Sequence, residues 1–419
     1  MAGSLLHGHL VCGRAIPTGV GSTRLRIGRT GCGLDREAAP TAGNLNPQFM
    51  RIALFIERFE PGRGGVENVA WTVAHDLARA GDEVLVVARR ASAESQVRVH
   101  QVDVSERWQP LRVSRFSRAT ARIAPRGSFD VVYSLARTAH QDVYRAGAGS
   151  HANYMERRYR KVSGSLYKLS PRHAMLLGIE RRVFRDSSQT VQCGSEMVRR
   201  ELQQRYAIPS ERLVVVRNGV DLARFRQTPE RREAHRARLR SEFGAGNQLV
   251  WLFAGSGFAR KGLDTALRAL ARAECGDSQL WIVGADRASA WERLARSLGV
   301  AERVHFLGFR ADMPELYAAA DALVLPTRYD TCANVCFEAA AAGIPIVTTA
   351  SNGAAESLEG GGFTIEDPED SVAVAAALDA LSDSGSRARM GEAAQSAAAQ
   401  LGWSDHIARL RTLFARLAA

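Results

Sequence analysis

Asp330 and Glu338 lie eight residues apart in the segment Pro326-Thr327-Arg328-Tyr329-Asp330-Thr331-Cys332-Ala333-Asn334-Val335-Cys336-Phe337-Glu338-Ala339. An apolar strand, Ala322 to Leu325, comes before them, and a helix is expected from Asn334 to Ala342. This spacing puts one carboxylate in a strand-to-helix loop and the other on the helix. Both can then face a ligand at the carboxyl end of a parallel sheet, where open α/β sheets bind their ligands. The plainer alternative is a helix-capping loop with a satisfied acid. Arg260 and Lys261 form a second candidate group where a loop enters a helix. Cations are unfavourable beside the positive end of a helix dipole unless an anion is present, so an anion is expected there. A pair of solvated surface cations is the alternative.

A third feature is the turn Pro61-Gly62-Arg63-Gly64-Gly65, which joins a buried-type strand at Arg51–Ile56 to a helix at about Val66–Arg79. Glycines let backbone N–H groups approach a phosphate closely. The turn is not GxGxxG, and Arg89 and Arg90 stand at the tip of the next strand, where a dinucleotide site needs an acid. A nicotinamide cofactor is therefore not expected.

These groups need a scaffold. At 419 residues the default is two domains. Strand, glycine turn, helix and strand recur twice, first from Arg51 and again from Leu249, as in doubly wound α/β units. Further strands are expected at Val97–Val102, Asp130–Ser134, Val191–Cys193, Leu213–Val216, Gln279–Val283, Val304–Gly308 and Ile344–Thr348. The polar segment Leu222–Gly246 reads as one helix with flanking linker. The expected organisation is a disordered extension over 1–49, rich in Gly, Thr, Ala and Arg, then domains over 50–220 and 221–402. A last helix over 403–419 is expected to cross back to the first domain.

The net charge of +12 calls for an anionic partner: nucleic acid, a phosphorylated ligand or a lipid surface. No zinc-finger, RRM or KH pattern is present, so no nucleic acid is expected. The six cysteines are scattered and complete no metal site, which fits free thiols in a reducing compartment. No apolar run is long enough to span a membrane. Between Tyr154 and Arg185, basic residues that include Arg157, Arg158, Arg160 and Lys161 alternate with aromatic and apolar ones. Such a stretch can lie on an anionic membrane face or form a solvated helical surface.

As a set, the landmarks resemble the retaining GT-B glycosyltransferases of family 4. They are Gly64-Gly65 with Glu67, Arg217-Asn218-Gly219-Val220-Asp221, Arg260-Lys261-Gly262, Phe306-Leu307-Gly308 and the acid-x7-acid pair. Asp142-Val143-Tyr144 and Phe258-Ala259-Arg260-Lys261-Gly262 are most similar to the bacterial lipopolysaccharide core glucosyltransferases. The resemblance implies two Rossmann-like domains facing each other across a cleft. It also implies a nucleotide-diphosphate sugar as donor, a UDP-sugar foremost, and neither an essential metal nor another cofactor.

On the donor side the resemblance gives Gly64, Gly65, Arg260, Lys261, Asp330, Asn334, Val335 and Glu338. Lys261 and Arg260 would hold the diphosphate, Glu338 the ribose, and Asp330 the donor sugar near its reacting carbon. Leu307 and Phe309 border the base or belong to the core. On the acceptor side, Asp142 would take the acceptor proton or orient the acceptor, with His140 and His151 as further candidates. Catalysis is assigned to Asp142, Asp330 and Lys261, with no covalent intermediate. The implied acceptor is a glycolipid or cell-surface oligosaccharide such as lipopolysaccharide core. The implied place is the cytoplasmic face of the inner membrane, with the enzyme held there peripherally.

Two positions depart from the family pattern. Asp330 stands where Glu is usual, and Ser256 where an Arg is common. They leave a second class open, a catalytically impaired GT-B protein that binds glycans or acts as a scaffold. A phosphorylase would need a pyridoxal-phosphate lysine in a longer chain.

Overall fold

The computed structural model describes residues 49–62, 64–105, 107–158 and 170–418. Apart from Phe49, the expected extension lies outside the described residues, as do Arg160 and Lys161.

The first sheet is built from β1 (Arg51–Phe59), β2 (Glu83–Ala91), β3 (Arg98–Gln101), β4 (Val131–Ser134), β5 (Val143–Arg145), β6 (Thr190–Cys193) and β7 (Leu213–Val215). Around it lie α1 (Gly65–Arg79), α2 (Gln109–Ile123), α3 (His151–Arg158), α4 (Pro171–Arg185) and α5 (Glu196–Tyr206). Every strand pair is parallel, in the order β3-β2-β1-β4-β5-β6-β7. Strands covered on both faces read as unbroken apolar runs, and Ile52 to Ile56 are all buried. The helix α1 buries Val69, Ala70, Val73, Ala74 and Leu77, one stripe at helical spacing.

Two helices, α6 (Leu222–Phe225) and α7 (Pro229–Glu242), lead into the second sheet. Its first half is β8 (Leu249–Ala254), α8 (Leu263–Arg272), β9 (Ser278–Val283), α9 (Ser289–Ser297), β10 (Val304–Gly308) and α10 (Met313–Ala319). Its second half is β11 (Ala322–Val324), α11 (Asn334–Ala341), β12 (Ile346–Thr349) and β13 (Gly362–Ile365), followed by α12 (Ser371–Ala380) and α13 (Ser384–Ala398). These strands are also all parallel, in the order β10-β9-β8-β11-β12-β13. The chain therefore folds as two Rossmann-like domains.

Each sheet reverses its winding direction once, between β1 and β4 and between β8 and β11. The crevice of such a sheet opens at that switch point, outside the carboxyl ends of the strands. The Gly64-Gly65 turn follows β1. The loop carrying Arg260 and Lys261 follows β8, and the Asp330 loop follows β11. Topology alone thus brings all three sequence features to switch points.

The segment Leu222–Gly246 forms two helices rather than one. Thr228 accepts a hydrogen bond from the Arg231 amide at 3.4 Å, and Pro229 occupies the first helical position, a strong start signal. The three-residue β5 and the four-residue β13 were not read from sequence, because runs so short carry no period.

The final helix, α14 (Trp403–Ala418), packs on the first domain. Its Ile407, Leu410, Leu413 and Phe414 share one core with Val69, Val73 and Leu77 of α1. The Phe414 and Tyr133 ring centroids are 5.3 Å apart. Phe414→Ala is expected to lower unfolding free energy by about 3–5 kcal/mol. Leu417→Ala on the exposed side of the same helix should change it by less than about 0.5 kcal/mol. Urea denaturation of both variants checks this.

Candidate active site

The loop after β8 is shaped by glycines. Gly262 has φ +78°, and a β-carbon there would lie 2.0 Å from the Pro326 carbonyl oxygen, so both conformation and space require glycine. Asp286 accepts from the amides of Gly257 and Phe258, each at 2.8 Å. The next loop is fastened to this one. Arg328 pairs bidentately with Asp264 at 2.9 and 2.7 Å and donates to the Ala259 carbonyl at 2.6 Å. Its own amide donates to the Arg260 carbonyl at 2.9 Å.

This fastening places Asp330 between two cations. Its Oδ2 accepts from Arg260 Nη1 at 2.9 Å and from Lys261 Nζ at 3.1 Å. The Lys261 side chain is 8% exposed and that of Asp330 14%. Burial by itself would raise the Asp330 pKa. Lys261 and then Arg260 outweigh it and hold the carboxyl at about 2. One of the two positive charges is thus offset internally, and the cluster keeps a net charge of about +1, open to an anion. Ser256 adds no charge, and its hydroxyl accepts from the Ala285 amide at 3.1 Å.

Glu338 sits one face along α11. Tyr317 donates to its Oε2 at 2.9 Å, and burial pushes its carboxyl pKa up. The start of α11 has no side-chain cap. Asn352 accepts from the Ala333 amide at 3.2 Å, while Asn334 and Val335 open the helix, where amides have no intrahelical partner. Across the cleft, α1 also begins without a side-chain cap, at Gly64. Gly64 is extended at φ 175°, whereas Gly62 takes the left-handed φ of +78°, so Gly62 is the position in this turn whose conformation calls for glycine. A β-carbon on Gly65 would lie 3.8 Å from Asn334 Nδ2.

The facing walls meet through polar contacts. Thr331 donates to the Gly147 carbonyl at 2.7 Å, Tyr329 to Glu201 at 2.9 Å, and Asn218 Nδ2 to Asn334 Oδ1 at 2.7 Å. Glu356 accepts from the Glu196 and Met197 amides at 2.8 and 2.6 Å, so it caps a helix of the opposite domain.

Two family models match the chain, Glycosyltransferase Family 4 over residues 63–224 and Glycosyl transferases group 1 over residues 248–384. The chain belongs to these glycosyltransferases. Lipopolysaccharide glucosyltransferase WaaG of Escherichia coli (strain K12) is 27% identical over 311 residues, which are 72% of this chain and 80% of that protein. A crystal structure of WaaG superposes with TM-score 0.75 and 26% identity, covering 87% of this chain and 99% of that one. A GDP-mannose-dependent alpha-(1-6)-phosphatidylinositol monomannoside mannosyltransferase of Mycolicibacterium smegmatis is 35% identical over 50% of this chain and 56% of its own length. Anabaena HepE in complex with UDP-glucose shares the fold, with TM-score 0.68, 19% identity, and coverage of 88% of this chain and 100% of that one.

Within this glycosyltransferase Arg260, Lys261 and Asp330 meet directly, and the Gly64-Gly65 turn faces Asn334, the first residue of the helix that carries Val335 and Glu338. Asp142 is not among them. It precedes β5 at the amino edge of the sheet, where its Oδ2 accepts from the Val132 amide at 2.8 Å and its Oδ1 lies 3.7 Å from Arg126 Nε. Four residues of extended chain, about 13 Å, separate it from Ala146 at the cleft end. His140 adjoins the same edge, exposed on the returning loop.

His151 does lie on the cleft side, opening α3 after the Gly147–Ser150 loop. Its Nε2 is 3.1 Å from His173 Nδ1, and Glu180 accepts from its amide at 2.5 Å. Burial, with help from Arg137, His173 and Arg172, pushes its pKa down to about 4, so the ring is neutral at physiological pH. Arg157 is tied to its own protein, with its side chain about a third exposed. It pairs with Glu201 at 2.6 Å and lies 5.0 Å over the Tyr329 ring. Arg158 is the last residue of α3, and its side chain lies outside the described residues. Sequence reading missed Tyr317, Asn352 and Arg145. Only Arg145 carried a signal, as the single charge in the run Val143-Tyr144-Arg145-Ala146.

The folded Asp330 pKa lies below its ordinary value of 3.8. Its pairing therefore stabilises the fold fully above about pH 4, and that contribution is lost as pH falls toward 2. Asp330→Asn leaves both cations uncompensated and should destabilise the ligand-free protein by roughly 2 kcal/mol, less than the roughly 3–5 of a fully buried pair because Arg260 stays a third exposed. Millimolar pyrophosphate should restore its melting temperature, as differential scanning calorimetry would register.

Proposed function

We propose that the chain is a retaining hexosyltransferase. It moves glucose or another hexose from a nucleoside-diphosphate sugar, UDP-glucose foremost, to a glycolipid or cell-surface oligosaccharide acceptor such as lipopolysaccharide core. The observation that carries this reading is the Arg260–Lys261–Asp330 cluster beside the uncapped start of α11. It is a preformed diphosphate site whose cations are held by an internal carboxylate until an anion arrives. The likeness to WaaG over most of both chains supports glucose and a lipopolysaccharide acceptor, and the UDP-glucose bound by HepE supports the nucleotide.

In this reading the diphosphate draws Lys261 and Arg260 away from Asp330. The freed carboxylate then turns toward the donor sugar. The amides of Asn334 and Val335 and the α11 dipole face the phosphates, and the Gly64-Gly65 turn closes over them from the opposite domain. Glu338, with one oxygen fixed by Tyr317, accepts from the ribose hydroxyls.

As the bond from the anomeric carbon to the β-phosphate oxygen breaks, negative charge grows on that oxygen. Lys261 and Arg260 stabilise it. The acceptor oxygen attacks from the same face, and its proton passes to the departing phosphate. Configuration is retained without a protein nucleophile. Neutral His151 orients the acceptor hydroxyl, the role that Asp142 is too distant to fill. Many contacts between the domains are polar, which suits opening and closing over the donor.

The membrane side of the reading rests on a different surface from Arg157. Trp108 and Leu111 at the start of α2 and Met175 near the start of α4 are exposed. Arg172 donates to Gln109 at 2.6 Å, so the two helix starts adjoin. Exposed apolar side chains beside arginines suit the anionic cytoplasmic face of the inner membrane. Among the described residues no helix is long and apolar enough to cross a membrane.

The first test is calorimetry with UDP-, GDP-, ADP- and TDP-sugars, GDP-mannose included. One donor should bind wild type, and Lys261→Ala should weaken it by about 10–100-fold, the worth of a charge-assisted contact. Glu338→Ala should weaken it about tenfold. Binding of none would return the weight to a glycan-binding scaffold. For the membrane surface, the combined Trp108→Ala, Leu111→Ala and Met175→Ala variant should lose most sedimentation with phosphatidylglycerol vesicles while keeping its donor affinity. Unchanged sedimentation would remove this surface from the reading.

A further inference from the structure

The chain crosses between domains at Arg217–Val220 and again near Gly402. Around the first crossing several buried polar atoms have no hydrogen-bond partner: Arg145 Nε and Nη1, Arg217 Nε and His406 Nε2. Arg145 is the deepest cation of this group, 5% exposed at the carboxyl end of β5. Its one hydrogen bond runs from Nη2 to Asn218 Oδ1 at 2.6 Å. Among the described residues no carboxylate pairs with it. His406 supplies no counter-charge, since its Nδ1 lies 2.5 Å from the Arg217 carbonyl oxygen and its ring is buried. A buried cation without a partner is strongly disfavoured unless an anion or water completes its shell.

The surroundings indicate which anion. Asn218 links Arg145 to Asn334, the first residue of α11, and Asn334 Nδ2 in turn reaches the Gly65 end of α1. Two uncapped helix starts therefore converge near one buried guanidinium. Gly147 makes room for it: a β-carbon there would lie 2.0 Å from Arg145 Nη1. Helix N-termini and an arginine fork together suit a phosphate group, which offers several acceptor oxygens in bidentate geometry.

We propose that Arg145 is a phosphate-binding residue of the cleft, contributed by the first domain and separate from the Arg260–Lys261 pair of the second. The proposal rests on the reading of the cleft as a nucleotide-sugar site. The phosphate comes either from the donor diphosphate or from a phosphorylated acceptor. Asn218 serves as the positioning residue that aims the guanidinium. A cation in each wall would also make domain closure depend on the phosphate lying between them.

The experiment is calorimetry of wild type, Arg145→Gln and Arg145→Lys with UDP, uridine, GDP, guanosine and inorganic phosphate. If the donor supplies the phosphate, Arg145→Gln weakens the bound nucleoside diphosphate at least tenfold, spares the nucleoside, and is partly rescued in Arg145→Lys. If the acceptor supplies it, diphosphate affinity is unchanged, but inorganic phosphate binds diphosphate-saturated wild type and not Arg145→Gln. Should Arg145→Gln fail to fold, Arg145→Lys carries the same comparisons with smaller losses. Diphosphate and phosphate binding equal to wild type would overturn the proposal and leave a buried water between Arg145 and His406. Loss of nucleoside binding as well would overturn it too, since the arginine would then only hold the cleft's shape. Weakening in Lys261→Ala but not in Arg145→Gln, with no phosphate arm, sinks this inference and spares the donor site. A wild type that binds none of these ligands sinks both.

Discussion

The second domain is organised around one carboxylate shared by two cations. Asp330 lies at the end of the loop after β11, and Arg260 and Lys261 lie in the loop after β8, the two strands that flank the switch point. Their attraction in a partly buried setting draws the two loops together. The loop fastening by Arg328 and the tight Gly262 turn keep the geometry narrow. The same contact gives the buried Lys261 amine a hydrogen-bond partner, which offsets part of the cost of its burial. Lys261 is already largely desolvated at 8% exposure, whereas Arg260 stays a third exposed to water.

Closure of the cleft follows a different logic. Each domain has its own apolar core, but the facing walls meet through hydroxyls, amides and carboxylates such as Thr331, Asn218 and Glu356. Each of these polar groups can bond to water when the domains part. The apolar exception is α14, whose leucines and Phe414 lie in the core of the first domain although the helix follows the second in sequence. It ties the two crossings at Arg217–Val220 and Gly402 into one narrow pivot.

Much of the fold was legible in the chain. Long apolar runs such as Arg51–Ile56 and Leu249–Ala254 can only be strands buried on both faces, and the alternation with helices fixes a parallel sheet. The charged groups at the second switch point were legible too, because their pattern is local: an acid eight residues before another across a loop, and two cations where a loop meets a helix. The acceptor side was not. Asp142 matched a motif, yet a strand of three residues decides which end of the sheet it occupies, and that end faces away from the cleft. Arg157 read as one of a basic series, yet the helix α3 turns it onto Glu201 and Tyr329.

By itself, then, the sequence determined the two doubly wound units, the glycine turns and the identity of the charged groups at the switch points, because these depend on neighbours within a few residues. Only the tertiary structure decided which charges pair and which stay alone. Asp330 finds Arg260 and Lys261 across roughly seventy positions of chain, while Arg145 in β5 finds only the amide of Asn218. Pairing of charges is set by distance in space, burial and the local dielectric, and none of these is written in the order of residues.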